Sequence, residues 1–284
     1  ILNDIIILVP DKENLHLLLN QQKPILMGII NLTDDSFYDA GFSFQHLASQ
    51  IAEFESAGVD IIDVGAESSR PGALPISTDI EIERLEKALG YIKQHSSAYI
   101  SVDTYKPETA QFSLENGVHI INDISGGESE EMLHVVSRNN AGIVLMHKKG
   151  TPKDMQDNPQ YDDVVAEVRS RLNEKVSLLL EEGINQERII VDPGIGFGKS
   201  LEHNLLLLKS GREIIPLSNI KLMWGVSRKS MFSELLGRIE ARDRLAGTLG
   251  IAAMSKLKAV DIIRVHDVAE HADLFRAMSS LEDL

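Results

Sequence analysis

Residues 98–107 read AYISVDTYKP. The first five form the apolar, β-branched run expected of a buried strand. Pro107 forbids that strand from continuing, because it has no N–H for a ladder and its φ is fixed. Asp103 stands where the chain leaves the run. A carboxylate there either caps the helix that follows or holds something beyond the strand.

The same pattern recurs along the chain. Short apolar runs stand at 25–30 (ILMGII), 60–65 (DIIDVG), 98–102, 119–122 (HIIN), 142–146 (GIVLM), 188–192 (RIIVD), 221–226 (KLMWGV) and 260–265 (VDIIRV), with segments of helical period between them. Leu47, Ile51 and Phe54 make one such stripe, and Val165, Val168, Leu172, Val176 and Leu179 another. Val268, Ala272 and Phe275 predict a closing helix. Near-continuous apolar strands, each followed by a helix, predict parallel strands buried on both faces. The simplest closure is an α/β architecture, a (β/α)8 TIM barrel. No linker, low-complexity tract or repeat divides the chain. The expectation is one barrel domain over 25–284, preceded by an N-terminal extension at 1–24 placed to cap the barrel floor.

Composition narrows the function. The 284 residues carry a formal net charge of −15, which repels polyanions at long range, so neither nucleic acid nor an anionic membrane is an expected partner. An anionic small molecule would need a local basic pocket. The chain has no cysteine, which excludes a disulfide framework, a thiolate nucleophile and cysteine-ligated metal, and fits a reducing, cytoplasmic setting. No apolar run reaches the roughly 18 residues of a membrane span. The opening ILNDIIILVP has an acid where a signal peptide carries basic residues.

At or just beyond the strand ends stand Asn31; Glu67, Ser68, Ser69 and Arg70; Asp103; Asn122 and Asp123; His147; Asp192; Ser227, Arg228 and Lys229; and Arg264 and His266. Any one of these could be a cap or turn former. In a barrel they converge on the one face where active sites sit.

DPGIGFGKS (192–200) fails the phosphate-loop spacing, because the position five before Gly198 is Pro193. Its evenly spaced glycines also fail the dinucleotide fingerprint. What remains is Asp192 at a strand tip and a loop whose glycines would admit a ligand close to the backbone. Asp103, Asp192 and Asn122 suit an aromatic heterocycle with an amidine-like edge, since a carboxylate accepts two parallel hydrogen bonds; a pterin or a guanine would fit. Arg70, Lys229, Arg264 and His266 come from strands two, seven and eight, where a barrel commonly holds phosphate, and SRKS (227–230) reads as an anion clamp. His147 reads as a hydrogen-bonded rim residue. No His-x-x-x-His pair and no Gly-x-Ser-x-Gly elbow occurs. A Mg2+ ion held mainly by a substrate pyrophosphate remains compatible.

The segments MGIINLTDDSF, DVGAESSRPGA, SVDTYKPE, INDISGG, LMHKKGTPKDMQ, DPGIGFGKSLEHN, GVSRKS and RVHDV occur in this order. Together they resemble the dihydropteroate synthase family of folate biosynthesis, from about residue 25 to the end. The resemblance implies a (β/α)8 barrel that joins 6-hydroxymethyl-7,8-dihydropterin diphosphate to p-aminobenzoate with Mg2+ assistance, works as a homodimer and is a sulfonamide target. It implies that Asp103, Asn122, Asp192 and Lys229 hold the pterin, with Met146 and Phe197 lining its pocket. Asn31, Arg70, Arg264 and His266 would hold the diphosphate, Asn31 also approaching the metal. Ser69, Pro71, Phe197 and Ser230 would border p-aminobenzoate. Asp103, Lys229, Arg264 and His266 would carry the chemistry, a dissociative displacement. The chain departs from the family pattern at Asp34, where Pro is usual, at Ala40 and Ala66, where Gly is usual, and at Ser69, where Thr is common. A pterin-binding methyltransferase barrel and a catalytically idle pterin-binding paralogue are the competing readings.

Overall fold

In the computed structural model, which describes residues 10–21, 24–32, 43–67, 74–150, 155, 158–215, 217 and 219–282, the apolar runs are strands of one parallel barrel. They are β1 (Ile25–Asn31), β2 (Ile61–Gly65), β3 (Tyr99–Asp103), β4 (Ile120–Asp123), β5 (Gly142–Met146), β6 (Ile189–Asp192), β7 (Lys221–Trp224) and β8 (Ile262–Val265). Each pairs with the next, and β8 returns to β1 in the register Ile25↔Ile262 to Gly28↔Val265. The strand limits differ from the apolar runs by up to two residues at either end. Asp103 is the last residue of β3, whereas Gly225 and Val226 have left the ladder after Trp224. Asp103 does not cap the following helix: that helix begins at Pro107, with Lys106 at its N-cap and no side-chain cap bond.

The helices are α1 (Leu15–Leu19), α2 (Ser43–Ala57), α3 (Thr78–His95), α4 (Pro107–Glu115), α5 (Glu130–Arg138), α6 (Val164–Glu181), α7 (Leu201–Ser210), α8 (Met231–Leu236), α9 (Leu245–Ala253) and α10 (Val268–Glu282). Their starts follow local chemistry. Ser77, Ser129 and Asp163 accept backbone N–H groups at the N-termini of α3, α5 and α6, and Ser200 forms a reciprocal capping box with His203 at α7. The stripe predicted on α6 is buried at Val168, Leu172, Val176 and Leu179. Gly28 lets α2 and α10 meet over β1, since a Cβ there would lie 2.5 Å from the Phe54 ring and 2.9 Å from Val268.

Period-two alternation divides the core. Outward side chains of the strands pack with the helices, as Val64, Ile121, Leu222 and Ile263 do. Inward side chains form a separate apolar layer of Ile25, Met27, Ile61, Ile120, Val144, Ile190, Met223 and Ile262. Leu15, Leu18 and Leu19 of α1 join this inner layer and close the N-terminal end of the barrel. Gly142 makes room for them, because a Cβ there would lie 2.9 Å from Leu15.

Polar bonds hold this plug in place. The Arg188 guanidinium donates to the carbonyls of Lys12 at 3.2 Å and Asn140 at 2.6 Å. His119 Nδ1 accepts the Ile100 N–H at 3.0 Å, so its proton is on Nε2, 2.9 Å from the Pro10 carbonyl. Burial pushes the His119 imidazole below its ordinary pKa, against the Pro10 bond and with Lys12 acting in the same sense as burial. Above the ordinary value of ~6.5, folded and unfolded chains both hold a neutral ring. Below it the unfolded chain takes up a proton that the fold resists, so stability falls with pH. His147 and His271, also lowered chiefly by burial, act in the same direction. His119→Asn keeps the acceptor for Ile100. It is expected to cost about 1 kcal/mol at neutral pH and to flatten part of the stability loss from about pH 7 to 5. Denaturant melts across that range measure both quantities, and an unchanged slope would remove His119 from the linkage.

Candidate active site

Alternation also decides which polar residues meet. Counting up from the inner apolar layer in steps of two leads to Asn31, Asp63, Gly65, Asp103, Asn122, Met146, Asp192, Arg264 and His266, all toward the C-terminal mouth. Asp123, one residue past Asn122, faces the other way and accepts the N–H groups of Ser125 at 2.7 Å and Gly127 at 2.8 Å.

Arg264 is the hub of the mouth. Its Nε donates to Asp63 Oδ2 at 2.6 Å and its Nη2 to Asp103 Oδ2 at 2.9 Å, while Asn122 Nδ2 donates to the same Asp63 oxygen at 3.1 Å. Burial works against the Arg264 charge, but Asp63 and Asp103 outweigh it and raise its pKa. Burial pushes the Asp103 carboxyl up to about 7, against the pull of Arg264 and with a further push from the Asp63 charge. The Asp103 side chain keeps 12% of its surface exposed, so a ligand at the mouth can reach it. Asn31 Oδ1 and Asp103 Oδ2 border one gap over Gly65, where a Cβ would lie 3.8 Å from each.

A second group surrounds Asp192. Its Oδ1 accepts the Gly194 N–H at 2.7 Å, and Met146 is its register partner on β5. Burial raises the Asp192 carboxyl, against that N–H and the charge of Lys229. Lys229 Nζ stands 4.0 Å from the centre of the Phe197 ring, a cation–π contact. Burial brings the Lys229 ammonium down to about 8, although Asp192 holds it up. Ser227 Oγ accepts the His266 N–H at 3.1 Å and lies 3.0 Å from His266 Nδ1. Ser230 is exposed at the start of α8.

Two sequence expectations need correction. SRKS does not act as one clamp, because Arg228, at φ 56°, is bound through two nitrogens to the Asp267 carboxylate, and Lys229 enters the Asp192 group. The glycines of DPGIGFGKS serve backbone packing first. A Cβ on Gly194 would lie 1.8 Å from the His147 carbonyl oxygen, and one on Gly198 would lie 2.1 Å from that of Lys149. Ala66, where the family usually has Gly, is fully buried with its carbonyl accepting from Arg84 at 2.9 Å. Glu67 is held by the Tyr105 hydroxyl at 2.7 Å and by Lys106, which also reaches Glu81 at 2.9 Å. Asp34, Ala40, Ser68, Ser69, Arg70 and Pro71 lie outside the described residues.

The family described as "Pterin binding enzyme" matches residues 27–266. The dihydropteroate synthase of Escherichia coli K12 is 40% identical over 265 residues, covering 92% of this chain and 93% of that protein. The chain belongs to the dihydropteroate synthase family. Among solved structures, the dihydropteroate synthase of Xanthomonas albilineans with 4-aminobenzoic acid superposes with a TM-score of 0.85 at 32% identity, covering 93% of this chain and 94% of that one. The Yersinia pestis dihydropteroate synthase in complex with a sulfonamide drug gives 0.83 at 34% identity, covering 92% and 95%.

In this member of the dihydropteroate synthases, Asp63 is the residue that sequence reasoning passed over, although it joins three predicted ones. Its signal was an acid at inward parity within an apolar run, fully buried in β2, with Oδ1 lacking a hydrogen-bond partner among the described residues. Because the Asp63 charge raises Asp103, Asp63→Asn is expected to move the Asp103 titration to lower pH. Carboxyl 13C NMR, with Asp103→Asn to assign the signal, reads this directly. An Asp103 pKa that stays or rises in the variant would contradict the coupling.

Proposed function

We propose that the chain joins 6-hydroxymethyl-7,8-dihydropterin diphosphate to p-aminobenzoate, releasing 7,8-dihydropteroate and pyrophosphate. The observation that carries this reading is the meeting of Asp103, Asn122 and Arg264 through Asp63 at the barrel mouth, with Asp192 and Lys229 on the same inward side. The 4-aminobenzoic acid in the X. albilineans structure and the drug in the Y. pestis structure support an arylamine acid as second substrate and sulfonamides as its competitors.

In this mechanism Asp192 and Asn122 take the donor edge of the pterin, Lys229 meets its acceptor edge, and Met146 and Phe197 supply apolar walls. The bond from the pterin methylene to the diphosphate oxygen breaks first, its electron pair leaving with pyrophosphate. The cation left behind spreads into the ring. Ionised Asp103 stabilises it, and Arg264, His266 and Arg70 stabilise the leaving group. Arg264 suits the task because its two acids engage Nε and Nη2, leaving the Nη1 edge for an anion. The arylamine nitrogen then forms the new C–N bond and gives its proton to solvent; an arylamine is neutral at this stage and needs no strong base. Ser69, Pro71, Phe197 and Ser230 border that second substrate.

Mg2+ fits the donor set. Asn31 Oδ1 offers one hard oxygen beside Asp103, and among the described residues no cluster of three His or acidic side chains would hold a metal alone. Asn31 would hold such an ion from the protein side, and the ion would supply charge neutralisation for the leaving group. The reading includes a cytosolic homodimer, supported by the absence of cysteine and by exposed apolar side chains at Ile239, Met254 and Leu257.

Release of pyrophosphate from the pterin diphosphate in the presence of p-aminobenzoate tests the reaction, and neither competing reading yields it. Asp192→Asn, which turns an acceptor-only group into one that also presents donors, is expected to weaken a pterin analogue by about 1.5–3 kcal/mol with little change in folding. Calorimetric titration measures the loss, and unchanged affinity would take Asp192 out of ring binding.

A further inference from the structure

Lys199 ends the glycine-rich part of DPGIGFGKS and is only 3% exposed. A protonated lysine has three N–H donors. Its Nζ meets three acceptors, the Phe197 carbonyl at 2.9 Å, His147 Nδ1 at 3.0 Å and the His147 carbonyl at 3.2 Å. Donors and acceptors match in number, and none of the acceptors is charged. A buried ammonium among neutral acceptors is a costly way to tie two loops, because an amide could donate there with a smaller desolvation penalty.

The two loops it ties both reach the mouth. His147 follows Met146, and its own N–H donates to the Asp192 carbonyl at 2.9 Å. Phe197 carries the ring beneath Lys229, and its N–H donates to the Gly194 carbonyl at 3.1 Å. Gly194 and Gly198 bring the two backbones into contact, and Lys199 sits where they meet.

We propose that Lys199 is a positioning residue for the pterin-diphosphate substrate: its ammonium clamps His147 to Phe197 and so holds the Phe197 ring under Lys229 and the Met146–His147 segment against Asp192. This rests on the reaction proposed above. The clamp is sensitive to pH. Burial brings the Lys199 ammonium down to about 7; Asp192 on β6 holds it up, while Lys229 after β7 and Lys149 after β5 push it down. His147 is brought down to about 3, by burial first and then by Lys199, and stays neutral throughout. Tyr161, whose hydroxyl donates to the Gly198 carbonyl at 2.9 Å, is pushed up to about 12 by burial and then by Glu167, and stays protonated. The charged clamp is therefore complete below about pH 7, and above it the amine has one N–H fewer.

Lys199→Met keeps the unbranched stem as far as Cε and removes every donor, and Lys199→Gln keeps a shorter, neutral one. With p-aminobenzoate saturating, Lys199→Met is expected to raise KM for the pterin diphosphate about tenfold near pH 6, with kcat within about threefold. The penalty should shrink to about threefold near pH 8.5, where the parent has itself lost the ammonium, and Lys199→Gln should fall between the two. Comparing variant with parent at each pH cancels the titrations of Asp103 and Lys229 to first order. An equal KM penalty at both pH values, or a loss confined to kcat, overturns the proposal. Should neither variant fold, hydrogen exchange of residues 194–200 in the parent, corrected for intrinsic rates, takes their place. Protection is expected to fall as pH rises through 7, and constant protection overturns the clamp. An inactive parent would refute the reaction, whereas an active parent with a pH-independent penalty refutes the role of Lys199 alone.

Discussion

The bonds from Arg264 to Asp63 and Asp103 set the terms for the barrel mouth. Asp63, Asp103 and Asp192 are gathered there with Arg264, Lys229 and Lys199, and each cation is held up against burial by at least one of the acids, Arg264 by Asp63 and Asp103, Lys229 and Lys199 by Asp192. The apolar half of the same interior makes the arrangement possible. Below the charges, the inner layer from Ile25 to Ile262, closed by Leu15, Leu18 and Leu19, gives the strands a dry core that fixes their register. Register then fixes parity, and parity brings Arg264 to its acids.

The fold was legible because its signals are local. An apolar run, a helical stripe and an N-cap are each readable within a few residues, and their alternation left few closures to consider. The site was legible as a set of residue types at strand ends. What could not be read is pairing across the chain. Asp63 looks like part of a strand, and its partner Arg264 stands 201 residues away. Around Lys199 the phosphate-loop spacing fails, and its partners in the fold have no sequence signature, because two of them are backbone carbonyls, which every residue has. Arg228 and Lys229 are neighbours with different partners, Asp267 for the first and the Phe197 ring for the second, contacts that no spacing rule specifies. The glycines of the β6 loop do allow a close approach, but at Gly194 and Gly198 the group that approaches is the backbone after β5.

The two principal acids differ in what their surroundings let them do. Asp192 is fixed by the Gly194 N–H and lies in reach of the Lys229 charge, which suits a group that accepts from a ring edge and stays in place. Asp103 shares Arg264 with a second carboxylate and keeps an exposed face, which suits a group that answers charge appearing near it. Asn122 hangs on Asp63 as Arg264 does, so the residue proposed for the ring and the residue proposed for the diphosphate are oriented by one oxygen. A displacement of that oxygen would disturb both halves of the substrate at once.

Three of these groups sit close to neutrality, Asp103 and Lys199 at about 7 and Lys229 at about 8. In a shared cavity their protons belong to the cluster more than to any one residue. With three acids and three cations ionised, the cluster is balanced, and either protonating Asp103 or deprotonating a lysine leaves one charge unmatched. A ligand that carries a diphosphate favours the protonated form of all three, because added negative charge raises acids and ammoniums alike. The role proposed for Asp103, by contrast, calls for an ionised carboxylate. Arg264 stands directly on Asp103, so on the proposed reading, in which Arg264 takes the diphosphate, the cation lies between that anion and the acid and lessens the rise in the Asp103 pKa.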